Sequence, residues 1–166
     1  MAWIGERVRD DVLREAYGAV EDLAEWSDWA PFGAALEVAP RQPGVYLFRE
    51  PDTQLIRYVG MAGERAGGGR AQGLHGRLSV YRTGQGAVGG YGEAALDRAL
   101  ADPDWVEGQL RRLRAEGPRR ARQWAADALA HLAPEVSWAA CHERPDALHL
   151  ESQVDLLLRP HGASNR

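Results

Sequence analysis

The sequence predicts an α+β fold, a small, three-stranded, mainly antiparallel sheet flanked by helices. Two short runs of β-forming residues, GVYLF at 44–48 and LIRYV at 55–59, are separated by EPDTQ, in which Pro51 and Asp52 favour a turn. A third such run, EVSWAAC, lies far downstream at 135–141. Around these runs apolar residues recur at helical spacing. A chain of 166 residues, 45% hydrophobic and 27% charged, has room for one core with elaborations.

Residues 6 to about 26 place Val8, Val12, Leu13, Ala16, Val20 and Leu23 at helical spacing with acids between them, so an amphipathic helix is expected. Trp26, Trp29, Pro31 and Phe32 follow as an aromatic link, expected as core filler rather than as a base-stacking platform. The two β runs form a hairpin. The segment GMAGERAGGGRAQG is too rich in glycine for regular structure, and LHGRLSVYR after it forms a short helix. From Glu93 to about Ala133 three helical pieces are expected, broken near Pro103 and at Gly117-Pro118. The third strand and a helix from about Pro145 to Arg159 complete the fold. The chain thus reads as an acidic N-terminal helix and aromatic linker (1–42) and a main domain (43–166) with a helical, Arg-rich insertion at about 93–133.

Composition removes several chemistries. All 20 basic residues are Arg, which excludes lysine nucleophiles, lysine Schiff bases and a P-loop lysine. The single cysteine, Cys141, excludes an internal disulfide and any multi-cysteine metal site, and reads as a buried strand residue. The net charge of −4 hides a polarity: three Arg against nine acids in 1–37, but seven against three in 41–90 and six against one in 111–122. No apolar run is long enough to span a membrane, and the charged start MAWIGERVRDDVLREAY lacks a secretory core, so a cytoplasmic protein is expected.

A hairpin turn centred on Asp52 would set Tyr46 opposite Tyr58 and Phe48 opposite Ile56, with both phenols on one sheet face. A slip of one residue would separate them. In the last helix Ala147, Leu150, Val154, Leu157 and Leu158 form an apolar stripe, with Glu151 at its border and Asp155 further toward solvent. Such a carboxylate at the rim of a sheet suits one Mg²⁺ that retains several waters. Three of the five histidines, His131, His149 and His161, read as surface or capping residues.

The ordered set GVY at 44–46, YVG at 58–60, Arg77 in the following helix, Glu151 in a helix after the third strand and a terminal Asn165 resembles the GIY-YIG nuclease family over about residues 43–165. Valine stands for isoleucine in both motifs. The resemblance implies a metal-dependent endonuclease that hydrolyses DNA phosphodiester bonds with Mg²⁺ or Mn²⁺. In it Tyr46 and Tyr58 prepare the water, Arg77 stabilises developing charge, Glu151 holds the metal and Asn165 closes the domain. Arg65, Arg70 and Arg82 rival Arg77, because the loop before it is longer than is usual in the family. With Arg119 and Arg120 they are also expected to contact substrate phosphates. His75 is a secondary phosphate donor or proton carrier. Met61 stands where many members carry Lys, which leaves any assisting cation to Arg57 or another Arg.

Tyr46 acts in this scheme as general base or only orients the water. A phenol of reference pKa near 10 is ionised about once in a thousand at pH 7, a cost of about 4 kcal/mol that nearby cations would have to offset. The alternative function is a catalytically weak or inactive binding or assembly module, whose acidic N-terminal helix docks a protein partner.

Overall fold

The structure, a computed structural model, describes residues 3–63, 72–85 and 89–163. In chain order its elements are α1 (Asp11–Glu21), β1 (Ala30–Pro31), α2 (Phe32–Val38), β2 (Gly44–Arg49), β3 (Ile56–Ala62), α3 (Gly73–Arg82), α4 (Gly90–Leu100), α5 (Pro103–Glu116), α6 (Ala121–Leu132), β4 (Glu135–Ala140) and α7 (Arg144–Leu158), followed by a 3₁₀ turn at Arg159–His161. The chain packs as two units. One takes the chain up to Leu78 and again from Pro134; the other is Ser79–Ala133.

In the first unit the strands pair antiparallel in the order β1-β4-β2-β3. The sheet therefore has four strands where the sequence predicted three. The extra strand is only Ala30–Pro31, too short for an alternating pattern, and is formed by tertiary pairing to Val136 and Glu135. Strand β2 is buried at all six positions, because it is paired along both edges and covered on both faces. Strand β3 is an edge of the sheet.

One face of the sheet is the main core. Val45, Leu47, Val59 and Ala139 pack there with Leu150, Val154 and Leu158 of α7 and with Trp3, Val8, Tyr17 and Val20. The N-terminal segment, read from the sequence as lying outside the main domain, is thus part of the same core. Its helix is shorter than expected. The Asp10 carboxylate accepts a hydrogen bond from Leu13 N–H and starts α1 there, leaving Val8 outside the helix. Tyr17 of α1 reaches β3, where its hydroxyl accepts the Ile56 N–H at 2.7 Å. Burial pushes the Tyr17 phenol above its ordinary pKa.

The tryptophans close one end of this core. Trp3 packs against Trp26 and Trp29 with ring centroids 5.7 and 5.4 Å apart, and Trp3 Nε1 donates to Ser137 Oγ. Against them lies the buried Arg49, 4.4 Å from the Trp29 ring centroid and 2.6 Å from a Glu135 carboxylate oxygen. No helix of the described residues is long and apolar enough to cross a membrane.

In the second unit α4, α5 and α6 break where the sequence predicted. Asp102 caps α5 through the Asp104 and Trp105 N–H groups, Pro103 occupies its first turn, and Gly117 ends it in the left-handed region at φ 85°. Ala99, Trp105 and Ala128 form a small core of their own. The insertion expected over about 93–133 lies within this unit, which begins earlier, at Ser79.

Removing one partner of the Arg49–Glu135 pair strands a charge that the fold has withdrawn from water. Glu135 retains some exposure, so Glu135→Ala is expected to cost about 2 kcal/mol in urea unfolding, less than the roughly 3 kcal/mol or more of a fully buried pair. The double change Arg49→Met with Glu135→Leu should cost less than Glu135→Ala alone. An unfolding midpoint for Glu135→Ala equal to that of the unmodified protein would show that the pair contributes nothing.

Candidate functional site

The hairpin register differs from the expected one by two residues. Tyr46 pairs with Gly60 and Phe48 with Tyr58, not Tyr46 with Tyr58 and Phe48 with Ile56. The cause lies at the turn. Glu50–Leu55 form a longer connection, in which Gln54 takes a left-handed φ of 60°, and a bulge follows between Phe48 and Arg49. A shift of two preserves the sheet face. The two phenols are therefore still neighbours, stacked diagonally with ring centroids 6.3 Å apart.

Gly60 makes this stack possible. A Cβ there would collide with the Tyr46 hydroxyl and lie 2.5 Å from Tyr46 Cζ and 2.8 Å from Tyr58 Cε1. Both rings are buried, Tyr46 to 1% exposure and Tyr58 to 4%, with Phe48 of β2 and Phe32 of α2 extending the cluster. The glycine of the YVG motif is thus a seat for the tyrosine of the GVY motif.

Past the edge of β3 the charged residues gather. Glu151, on α7, lies half-buried against β3, and its carboxylate has the Met61 main chain as a hydrogen-bond partner. Burial is the main cause that raises its pKa, and Asp155 one turn along the helix adds to it; Arg77 of α3 and the Met61 hydrogen bond act in the opposite direction. Arg77 is exposed. The structure thereby places Glu151 within electrostatic reach of Arg77 beside Met61 of β3, while Tyr46 and Tyr58 lie on the other face of the sheet, in the aromatic cluster.

Two further charged residues stand at this place that the sequence did not single out as candidates. Asp155, expected further toward solvent, is buried and ion-paired with Arg159, which covers it from the next turn of α7. Its only sequence signal is the i, i+4 spacing from Glu151. Arg144, in the first turn of α7, lies along Gly63 at the end of β3: a Cβ on Gly63 would be 3.0 Å from its Cδ and 3.2 Å from its Nε. No ion pair to a described residue holds this guanidinium.

Other expected residues fall elsewhere. Arg57 is held by both oxygens of Glu50, at 3.0 and 3.1 Å, beside the turn at the opposite end of β3. It is therefore not the cation beside Met61. His75 is half-buried, with Nδ1 3.1 Å from the Leu36 carbonyl of α2. Arg119 is turned inward, its side chain 5% exposed between Asp127 and Gln109, so the expected phosphate contact is replaced by an internal ion pair. Arg82 and Arg120 are exposed in the second unit. Arg65, Arg70 and Asn165 lie outside the described residues.

Compared with known protein families, curated proteins and solved structures, the chain matches none of them.

Two substitutions test this geometry. Gly60→Ala must displace the Tyr46 ring and is expected to cost about 2 kcal/mol or more, whereas Gly63→Ala asks only a flexible Arg side chain to move and should be nearly neutral in the same melts. Equal effects would contradict the described seat. Glu151 has a raised pKa, so between the unfolded and folded values the native state holds the proton more tightly, and ionisation at neutral pH costs stability. Glu151→Gln should therefore melt higher than the unmodified protein at pH 7, the gain vanishing below about pH 4, where the carboxyl is neutral in both states. A lower melting temperature at pH 7 would contradict the assigned environment.

Proposed function

We propose that the chain is a divalent-metal-dependent phosphodiesterase, a DNA endonuclease of the GIY-YIG kind, with its centre at the end of β3. The observation that carries this reading is the convergence of Glu151 and Arg77 beside Met61, the residue directly after the YVG motif, with the GVY tyrosine seated on that motif's glycine. A half-buried carboxylate whose charge is disfavoured by its surroundings is a stability cost, which a site for a cation explains.

The donor set fits Mg²⁺ or Mn²⁺. Glu151 offers a hard oxygen, and among the described residues no three His, Cys, Asp or Glu side chains converge, so water and a substrate phosphate would complete the coordination. Such an ion supplies Lewis-acid stabilisation of the departing oxygen. Arg77 presents a forked, permanently charged donor to the non-bridging phosphate oxygens, where charge grows as water attacks phosphorus. Tyr46 and Tyr58, behind the strand, orient the attacking side. Arg144 supplies a second guanidinium along the same strand end.

A second reading has its own observation. Tyr46 is 1% exposed, which suits a packing residue better than a base that must meet water. On that reading the fold is a binding module that has lost turnover.

Supercoiled plasmid incubated with Mg²⁺ or Mn²⁺ distinguishes the two. The unmodified protein is expected to nick it, and Arg77→Ala or Glu151→Ala to lower the rate roughly 100- to 1000-fold while remaining folded. Linear duplex, RNA and small cyclic diesters assayed alongside assign the substrate class. Folded protein inert on all of them, with either metal, would leave the binding module as the correct reading.

A further inference from the structure

The second unit holds none of the converging residues, yet it concentrates charge. Residues 79–133 contain eight Arg and seven Asp or Glu, nearly balanced in sum. The packing separates them. Asp102, before α5, meets His131, at the end of α6, at 2.9 Å, so the start of α5 lies by the end of α6. At the other end Arg112 of α5 meets Asp127 of α6 at 2.8 Å, and Arg119 reaches back to Gln109. Helices α5 and α6 are therefore antiparallel, and the connection 117–120 brings the last turn of α5 beside the first turn of α6.

The turn after α3 joins them. Gly84 has a φ of 70° and packs directly on the main chain of Arg122, where a Cβ would lie 2.8 Å from the carbonyl carbon and collide with its oxygen. Only glycine fits this contact. It fixes the end of α3, with Arg82, against the first turn of α6. One pole of the unit thus gathers Arg82, Arg112, Arg114, Arg119, Arg120 and Arg122 against Glu93, Glu116 and Asp127. Asp97, Asp102, Asp104 and Glu107 lie toward the opposite pole with Arg98 and with Arg111, which pairs with Glu107.

The arginines of this pole divide into two sets. Arg112 and Arg119 are engaged by Glu116, Asp127 and Gln109, and hold α5 against α6. Arg82, Arg114, Arg120 and Arg122 are exposed and form no ion pair with a described residue. Glu116 and Asp127 are already engaged by Arg112 and Arg119, so these exposed cations are available to an external anion. Of the large apolar residues exposed in the unit, Leu110 stands singly one turn before Arg114 and Leu100 ends α4, so among the described residues charge rather than a contiguous apolar patch dominates this pole.

We infer that this pole is a docking surface for the phosphate backbone of a polynucleotide, contacted by Arg82, Arg114, Arg120 and Arg122. The surface binds without reading sequence and is separate from the hydrolytic site. A chain without turnover would still bind through it, so the surface does not depend on hydrolysis.

The test uses the full chain carrying Glu151→Ala, so that cleavage does not interfere, and a fluorescently labelled random-sequence duplex. Anisotropy is measured across about 50 to 200 mM salt. Adding Arg114→Ala, Arg120→Ala and Arg122→Ala is expected to weaken binding at least tenfold at about 0.1 M salt and to flatten the slope of log K against log salt by about 2 to 3, near 0.9 for each phosphate no longer neutralised. The exposed sites should leave the melting temperature unchanged. The corresponding triple Lys protein keeps the charges and should keep the slope, which separates an effect of charge from an effect of misfolding. Unchanged affinity and slope in the triple Ala protein would overturn the inference. So would polyglutamate binding as tightly as the duplex through the same arginines, which would assign the pole to an acidic protein.

Discussion

The register between β2 and β3 is held by a steric fact: the ring of Tyr46 occupies the space that a Cβ on Gly60 would need. Any slide of the hairpin would bring a bulkier residue under that ring or turn the apolar set of β3 away from α7. With this register, Val59 and Met61 face the main core while Tyr58 and Gly60 face the aromatic cluster. The two motifs are then a single packing unit, tyrosine from one and glycine from the other. Everything at the end of β3 inherits its position from that pairing.

An edge strand is the place where the two faces of a sheet meet. Helix α3 lies by the aromatic face and α7 on the core face, yet Arg77 and Glu151 interact because β3 has no strand beyond it. The protein leaves a carboxylate there in surroundings that disfavour its charge, while its other partly withdrawn charges are matched: Arg49 by Glu135, Arg119 by Asp127, Asp155 by Arg159. Among the described residues Glu151 stands apart from these pairs, with only Arg77 and the Met61 main chain opposing the burial that disfavours its charge.

The hairpin, the third strand and the three helices of the second unit were legible because their signals are local: β-branched runs, a Pro-Asp turn, Pro103 and Gly117-Pro118 as breaks. The candidate residues Tyr46, Tyr58, Arg77 and Glu151 were singled out only as an ordered pattern, since no periodicity relates residues on four different elements. What escaped depends on tertiary packing. The strand Ala30–Pro31 exists only through its pairing with β4, and the hairpin register through a left-handed Gln54. Charge by itself misled for Arg119 and Asp155, whose positions in a sequence give no sign that a neighbour will cover them. Arg57 misled in the same way, its partner Glu50 being set by the turn.

A single centre at the end of β3, taking a divalent cation beside Glu151, underlies the proposed chemistry. Mn²⁺ added in small amounts to ¹⁵N-labelled protein tests it directly, because the paramagnetic ion broadens amide signals near where it binds. Selective broadening is expected at residues 60–63, around Arg77 and around Glu151, abolished by Glu151→Gln. Broadening that spares these amides, or that persists unchanged in the Glu151→Gln protein, would contradict a cation site at this centre.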